Sequence, residues 1–490
     1  MLFQGICYVL LFLTCVLVFA KVRSRRVRQA FLLLASFALY LTWAPWFAAV
    51  LITSIIVNFL IGKWLRRSPY WVPLSTGIIF NLGLLSVFKY LPELALHTPI
   101  SALQSFSNLA LPLGISFWTF QALSYLFDLY RGEELDPSFV EFALYMVFFP
   151  VTISGPVCRM PDMLPQFRSE QTTSRNDVWQ GLRRMAIGVL MMQLAKLLGQ
   201  GILAGDGIVS GFDRVTQWSG ADVWCLSFGY GLQLFFDFAG YTHIAVGAAK
   251  ALGITVPENF ARPFASTSPS VFWTRWHMSL SFWIHDYVFF PLAPLRRERW
   301  WRNLALALSM VAFGLWHKAS LLFLIWGCYH GVLLVSHRQL QQFVRKFNWE
   351  PSAKIWTPLS SSLAWAATTT LISLGWIFFR ASSVAQASQM LSAITSPATY
   401  SSHFLSSSLY VLVAVLSAGY LIVLLVGDAL DQHAGSPESP SAGSSSGTFA
   451  FLACWRWFWI PSLYVLALIF VFMVTHGQEA SAGQLMYRRF

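Results

Sequence analysis

Apolar runs close to the ~20 residues that a helix needs to cross a bilayer recur along the whole chain. They predict helices at about 2–20, 29–44, 46–62, 71–90, 110–130, 139–157, 180–204, 222–250, 301–316, 319–337, 360–380, 405–427 and 451–475. Between the second and third, Trp43-Ala44-Pro45-Trp46 reads as a tight connection, because proline ends a helix and tryptophan favours the membrane interface. Three stretches do not fit simple spans. Phe149-Pro150-Val151-Thr152-Ile153-Ser154-Gly155-Pro156 places two prolines and a glycine in an apolar setting, Pro257–Pro269 is polar and loop-like, and Ser270–Pro291 is amphipathic. Irregular backbone at membrane depth is tolerated only where it lines a cavity inside the protein. The pattern predicts an all-α, polytopic integral membrane protein of about 11–13 helices, some re-entrant or amphipathic, built round an internal polar cavity. It reads as one domain over residues 1–490, with a Ser/Gly/Pro-rich flexible loop at 428–448 between the last two helices.

Composition narrows the class. Of 490 residues 56% are hydrophobic and only 11% charged, against about 25% charged in soluble domains. The 22 Trp and 42 Phe suit lipid-facing surfaces and interfacial belts. A net charge of +12 raises nucleic acid as a partner, but the basic residues fall in short clusters between apolar runs: 21–28, 63–67 and 296–299. Such clusters anchor helices at the cytoplasmic face, so the expected partner is membrane lipid and no nucleic acid. The clusters at 21–28 and 63–67 belong on one side, which puts the N-terminus and the 43–46 connection outside. Leu2–Ala20 precedes its basic cluster, the order of a retained helix and not of a cleaved signal peptide. The six cysteines form no C-x-x-C pair, so neither a metal site nor a disulfide framework is expected.

Candidate chemistry sits in the apolar segments. His317 lies in Gly314-Leu315-Trp316-His317-Lys318, His330 thirteen positions on in Tyr329-His330-Gly331, and His277 in Arg275-Trp276-His277-Met278-Ser279-Leu280. An ionisable group at membrane depth is costly and marks a functional site by default, and histidine is the side chain that moves protons near neutral pH. The plainer reading of a lone histidine, a hydrogen bond to a neighbouring helix, weighs most for His330. Asp237, Asp128 and Arg159 read first as buried pairing groups. The chain has no Gly-x-Ser-x-Gly elbow, P-loop or Gly-x-Gly-x-x-Gly turn, and no inverted repeat of the transporter kind.

An ordered set of segments then carries a resemblance. It includes Asn81-Leu82-Gly83-Leu84-Leu85 with Phe88-Lys89-Tyr90, Leu111-Pro112-Leu113-Gly114-Ile115-Ser116-Phe117, and Ser154-Gly155-Pro156 with Arg159. Further on come Phe236-Asp237-Phe238-Ala239-Gly240-Tyr241, Pro257-Glu258-Asn259-Phe260, the two histidine segments above and Leu374-Gly375-Trp376-Ile377-Phe378-Phe379-Arg380. The set resembles the membrane-bound O-acyltransferase family, in particular its bacterial alginate O-acetyltransferase branch. The resemblance implies a ring of tilted helices around a central tunnel, with His317 as the catalytic histidine and His277 as the second polar position. Trp276, Arg275, Trp316, His330 and Asp237 are the substrate-contact candidates beside them. It also implies acetyl-coenzyme A or another acyl thioester as cytoplasmic donor, with no bound cofactor. The expected acceptor is a secreted polysaccharide, reached through an exported acyltransferase partner, and the expected location is the bacterial cytoplasmic (inner) membrane. Lys318 departs from the family pattern, which has glycine after the catalytic histidine.

The residue chemistry agrees with that expectation. Acyl transfer needs a base for the acceptor hydroxyl, which a neutral imidazole in an apolar cavity supplies, and donors for the oxyanion, which His277 or the Trp276 indole supplies. Two other readings stay open at this level: D-alanyl transfer to cell-wall polymers, and a polysaccharide or lipid transporter with a polar pathway and no histidine-dependent turnover.

Overall fold

The computed structural model describes residues 2–42, 45–97, 100, 104–202, 205–347 and 356–433. The connection at Trp43-Ala44, most of the 428–448 stretch and the helix predicted at 451–475 lie outside the described residues. The order of elements follows apolar length. Helices α1 (Leu2–Lys21), α2 (Arg25–Leu41), α3 (Pro45–Arg67), α4 (Trp71–Lys89) and α5 (Leu91–His97) come first. The middle of the chain gives α6 (Ile115–Tyr130), α7 (Phe139–Val147), α8 (Met160–Arg168), α9 (Arg175–Gln200), α10 (Ile208–Asp213) and α11 (Gly220–Ala251). Two short helices, α12 (Pro269–Trp273) and α13 (Met278–Ile284), lead through a π-turn at His285–Phe289 to α14 (Arg299–His317). The chain continues through α15 (Leu321–Lys346), α16 (Trp356–Arg380), α17 (Val384–Thr395) and α18 (Ser407–His433). No strand occurs among the described residues, only a single bridge between Phe260 and Trp276. Among the described residues, five segments are long and apolar enough to cross a membrane: Pro45–Arg67, Trp71–Lys89, Leu321–Lys346, Leu359–Arg380 and Ser407–Leu424.

Several boundaries differ from the sequence reading. The helix predicted at 139–157 stops at Val147, and Phe148–Cys158 follows as buried turns. Pro150 and Pro156 cannot continue the helical ladder, and side chains answer two of the freed backbone donors. The Phe149 N–H donates to Ser36 Oγ at 3.2 Å, and the Val157 N–H to Ser279 Oγ at 3.0 Å. Helix α18 extends to His433, so the first residues of the 428–448 stretch are helical. Helices α8 and α17, each too short for a span, have no counterpart in the apolar pattern. Helix starts are fixed by local chemistry: Ser138, Ser174 and Ser219 each form a reciprocal cap with an acid three residues on.

The two basic clusters end on one side. Arg66, in the last turn of α3, pairs with Asp136, whose carbonyl accepts from Arg168 Nη2 at 2.7 Å. Arg28, in the first turn of α2, donates to the Gln171 carbonyl at 2.6 Å, three residues beyond Arg168. By the positive-inside rule this is the side expected to face the cytoplasm. A cysteine placed at Ala44, between the far ends of α2 and α3, should react with a membrane-impermeant maleimide added outside intact cells. Labelling only from the cytoplasmic side would reverse the topology.

Helices α9 and α11 form a glycine seam. Gly181 faces Gly247 and Gly188 faces Gly240, each pair so close that a β-carbon on either residue would press on the backbone oxygen of the other. Small residues at seven-residue spacing on both helices let the backbones touch, the usual device where lipid gives helices no hydrophobic reason to associate. The seam fixes α11, which carries Asp237 and Phe238 into the middle of the molecule.

Candidate functional site

A cavity of about 590 Å³ lies at the centre of the helices, within the size range of small-ligand sites. Its wall draws on the start of α6, the irregular segment at Ile153 and Ser154, α11, the α12–α13 turn and the facing parts of α14, α15 and α16. Aromatic side chains are the largest group in the lining. Lys89 and Asp237 are its charged side chains, and His277 and His317 its imidazoles.

His277 is held by an unusual backbone. It has φ 45° and ψ 50°, the left-handed region, which costs a non-glycine residue roughly 1–2 kcal/mol. A polar knot around Asn259 fixes that geometry. The Met278 N–H donates to the Asn259 carbonyl at 2.9 Å, Ser279 Oγ donates to Asn259 Oδ1 at 2.5 Å, and Asn259 Nδ2 donates to Thr242 Oγ1 at 3.2 Å. The Ala261 N–H closes the knot on the Arg275 carbonyl at 3.0 Å. The imidazole itself is buried beside Phe238, ring centroids 4.6 Å apart, and neither of its nitrogens has a protein hydrogen-bond partner. Buried polar atoms are almost always paired, so the two unpartnered nitrogens of this cavity-lining residue are unusual.

His317 reaches the same cavity from the last residue of α14. Its ring lies among Phe313 at 5.4 Å, Trp316 at 4.7 Å and Phe379 at 5.1 Å between centroids. His277 touches two of the same rings, Phe313 at 6.3 Å and Trp316 at 6.4 Å. Two imidazoles from separate segments therefore share one aromatic wall. Lys318 does not add its charge to the cavity: it pairs with Glu93 Oε1 of α5 at 3.3 Å.

The other predicted residues divide. Trp276, Trp316 and Asp237 line the cavity. Arg275 and His330 do not. Arg275 sits at the outward turn between α12 and α13, where its Nη1 donates to the Ala265 carbonyl at 3.5 Å. His330 is buried one layer behind the wall, packed on Trp273 at 5.2 Å and Trp326 at 4.7 Å, with Gly375 against its Nε2 edge. Asp128 and Arg159 act as pairing groups: Tyr287 donates to Asp128 Oδ1 at 2.7 Å, and Arg159 binds Asp286 at 2.7 Å. Lys89 was not among the expected site residues, although it stands in the quoted Phe88-Lys89-Tyr90 segment. At the end of an apolar span a lysine reads first as an interfacial anchor.

The sequence profile of the membrane-bound O-acyltransferase family matches residues 109–374, the stretch that contains both imidazoles. The chain is 30% identical to the probable alginate O-acetylase AlgI of Pseudomonas aeruginosa over 473 residues, covering 92% of this chain and 86% of that protein. It is 30% identical to the peptidoglycan O-acetyltransferase of Helicobacter pylori over 402 residues, 74% of this chain and 73% of that protein. The teichoic acid D-alanyltransferase of Bacillus subtilis is 30% identical over 311 residues, 61% of this chain and 75% of that protein.

Proposed function

The chain belongs to the membrane-bound O-acyltransferase family, and from that premise we propose that it moves an acetyl group from a cytoplasmic thioester to a secreted or cell-surface polysaccharide. The observation that carries the reading is the convergence of His277 and His317 on one enclosed, aromatic cavity. Membership in an acyltransferase family sets the transporter reading aside. The acetyl donor is acetyl-coenzyme A or another acyl thioester, delivered from the cytoplasm. An exported acyltransferase completes delivery to the polymer, and the location is the bacterial cytoplasmic membrane. The acetyl group and the polymer acceptor rest on the names of the alginate and peptidoglycan relatives, and the cytoplasmic side of entry on the basic clusters of one face.

In this reading His317 takes the proton of the accepting hydroxyl as its oxygen attacks the thioester carbonyl. His277, with neither ring nitrogen engaged by another side chain or the backbone, holds the acyl group in line. Trp276 and Trp316 shape the wall around it. Asp237, partly buried on α11, is the acidic contact on the opposite helix.

Purified protein in liposomes, given labelled acetyl-coenzyme A in one series and carrier-bound labelled D-alanine in another, tests the substrate directly. Turnover of the acetyl thioester supports the proposal, whereas turnover of D-alanine alone moves the protein to the D-alanyl branch. His277→Asn should leave partial activity, because an amide still positions and donates and asparagine accepts the left-handed backbone. An inactive but folded His277→Asn protein would overturn the positioning role of His277.

A further inference from the structure

The cavity holds a positive charge that the steps above do not use. Lys89 is the last residue of α4, its Nζ 4.7 Å from the centroid of the Trp316 ring and 3.5 Å from Ser116 Oγ. The other face of the matter is what Lys89 lacks: among the described residues no carboxylate lies within ion-pair distance of it. The first residues of α6, a 16-residue helix, border the cavity beside it, and the positive end of a helix dipole adds to the lysine's field instead of balancing it. A lone cation at membrane depth costs a few kcal/mol. Here two positive sources meet at one spot, an arrangement that favours an anion.

Trp316 tells where that anion forms. The indole lies 4.7 Å from the ammonium and 4.7 Å from the His317 ring, so Lys89 and His317 flank the same side chain. A hydroxyl that gives its proton to His317 has the carbonyl carbon it attacks within a few ångströms. We propose that Lys89 donates a hydrogen bond to the oxyanion of the acyl-transfer step, an inference that rests on the acyltransferase reading above. As the acceptor O–H bond breaks, its proton passes to His317 and its oxygen bonds to the thioester carbonyl carbon. The carbonyl electron pair moves onto oxygen, where the Lys89 ammonium meets it. Collapse restores the carbonyl, breaks the C–S bond and returns the proton from His317 to the departing thiolate. Lys89 ends the cycle charged, as it began. The role differs from that of His277, which packs against Phe238.

The test uses detergent-purified full-length protein and labelled acetyl-coenzyme A, with water as acceptor, reading released acetate above a His317→Ala background. Lys89→Met keeps the length of the side chain and removes its charge. It should lower kcat by about 10²–10³-fold, as loss of one oxyanion donor does elsewhere, with KM for the thioester within about twofold of the parent. Lys89→Arg should recover a clear part of that loss. A raised KM with kcat intact would assign Lys89 to ground-state binding of the donor, and unchanged kinetics would leave it no chemical part. Equal losses in the Met and Arg variants with a lowered melting temperature would make Lys89 structural. Each of those results overturns the proposal. Absence of turnover in the parent protein is a different failure: it removes acetyl-coenzyme A as the donor, and this inference falls with it.

Discussion

His317→Ala should lose about 10²–10⁴-fold in acyl transfer while the protein stays folded. That range is the usual contribution of a positioned general base, and it corresponds to about 3–5 kcal/mol of transition-state stabilisation. The fold tolerates the change because His317 is the terminal residue of α14 and borders an existing cavity, so truncation widens a space and does not open a new void in packed core. The rings left behind keep other neighbours: Phe313 stays 6.3 Å from Trp316, and Phe379 4.9 Å from Phe323. Transfer of label to polymer, compared with elution volume and melting temperature in detergent, separates the two effects. Near-normal transfer by His317→Ala, combined with a dead His277→Asn, would exchange the roles of the two histidines.

The second large effect is on stability. Gly188→Leu should prevent accumulation of folded protein, and Gly240→Val should do nearly the same. Both residues belong to the α9–α11 seam, where a β-carbon meets the facing backbone oxygen, which cannot swing aside as a side chain can. Overpacking a well-filled core costs about 1–3 kcal/mol even when side chains can move. Against backbone the helices must part, and the change spreads along the seven-residue repeat to Gly181 and Gly247. A total stability of roughly 5–15 kcal/mol leaves little room for that. Gly83→Ala in α4 is the control, since nothing lies within 4 Å of its β-position. Yield of monodisperse protein after size-exclusion chromatography reads the difference, and a normal yield of Gly188→Leu would mean that the helices are further apart than described.

What the sequence made visible follows from the length scale of each feature. Spans such as α3, α4 and α11 were legible because a bilayer demands a long apolar run, and Pro150 and Pro156 flagged the broken segment even though the predicted helix ran through it. Helices α8 and α17 were missed because nine or twelve residues leave no such signature. In the site, His277 and His317 stood out as polar atoms in apolar surroundings, and both line the cavity. His330 has the same local signature yet packs behind Trp273 and Trp326, since apolar context does not tell which layer of a bundle a residue occupies. Arg275 misled by adjacency: next to Trp276 in sequence, it leaves the site at a turn that only the backbone reveals. Lys89 was hidden by an ordinary position, the basic end of a span. Its neighbours Ser116 and Trp316 come from segments far along the chain.

The left-handed backbone at residue 277 also governs how a mutational scan of this protein should be read. Alanine, the customary deletion, removes the imidazole there and at the same time inherits a conformation that asparagine and glycine occupy far more easily. A loss seen with alanine at 277 mixes chemistry with conformational preference, whereas at His317, on regular helix, it reports chemistry more cleanly. In a library sorted only for folded protein, position 277 should therefore enrich asparagine and glycine over β-branched residues, a ranking set by the main chain before any substrate is present.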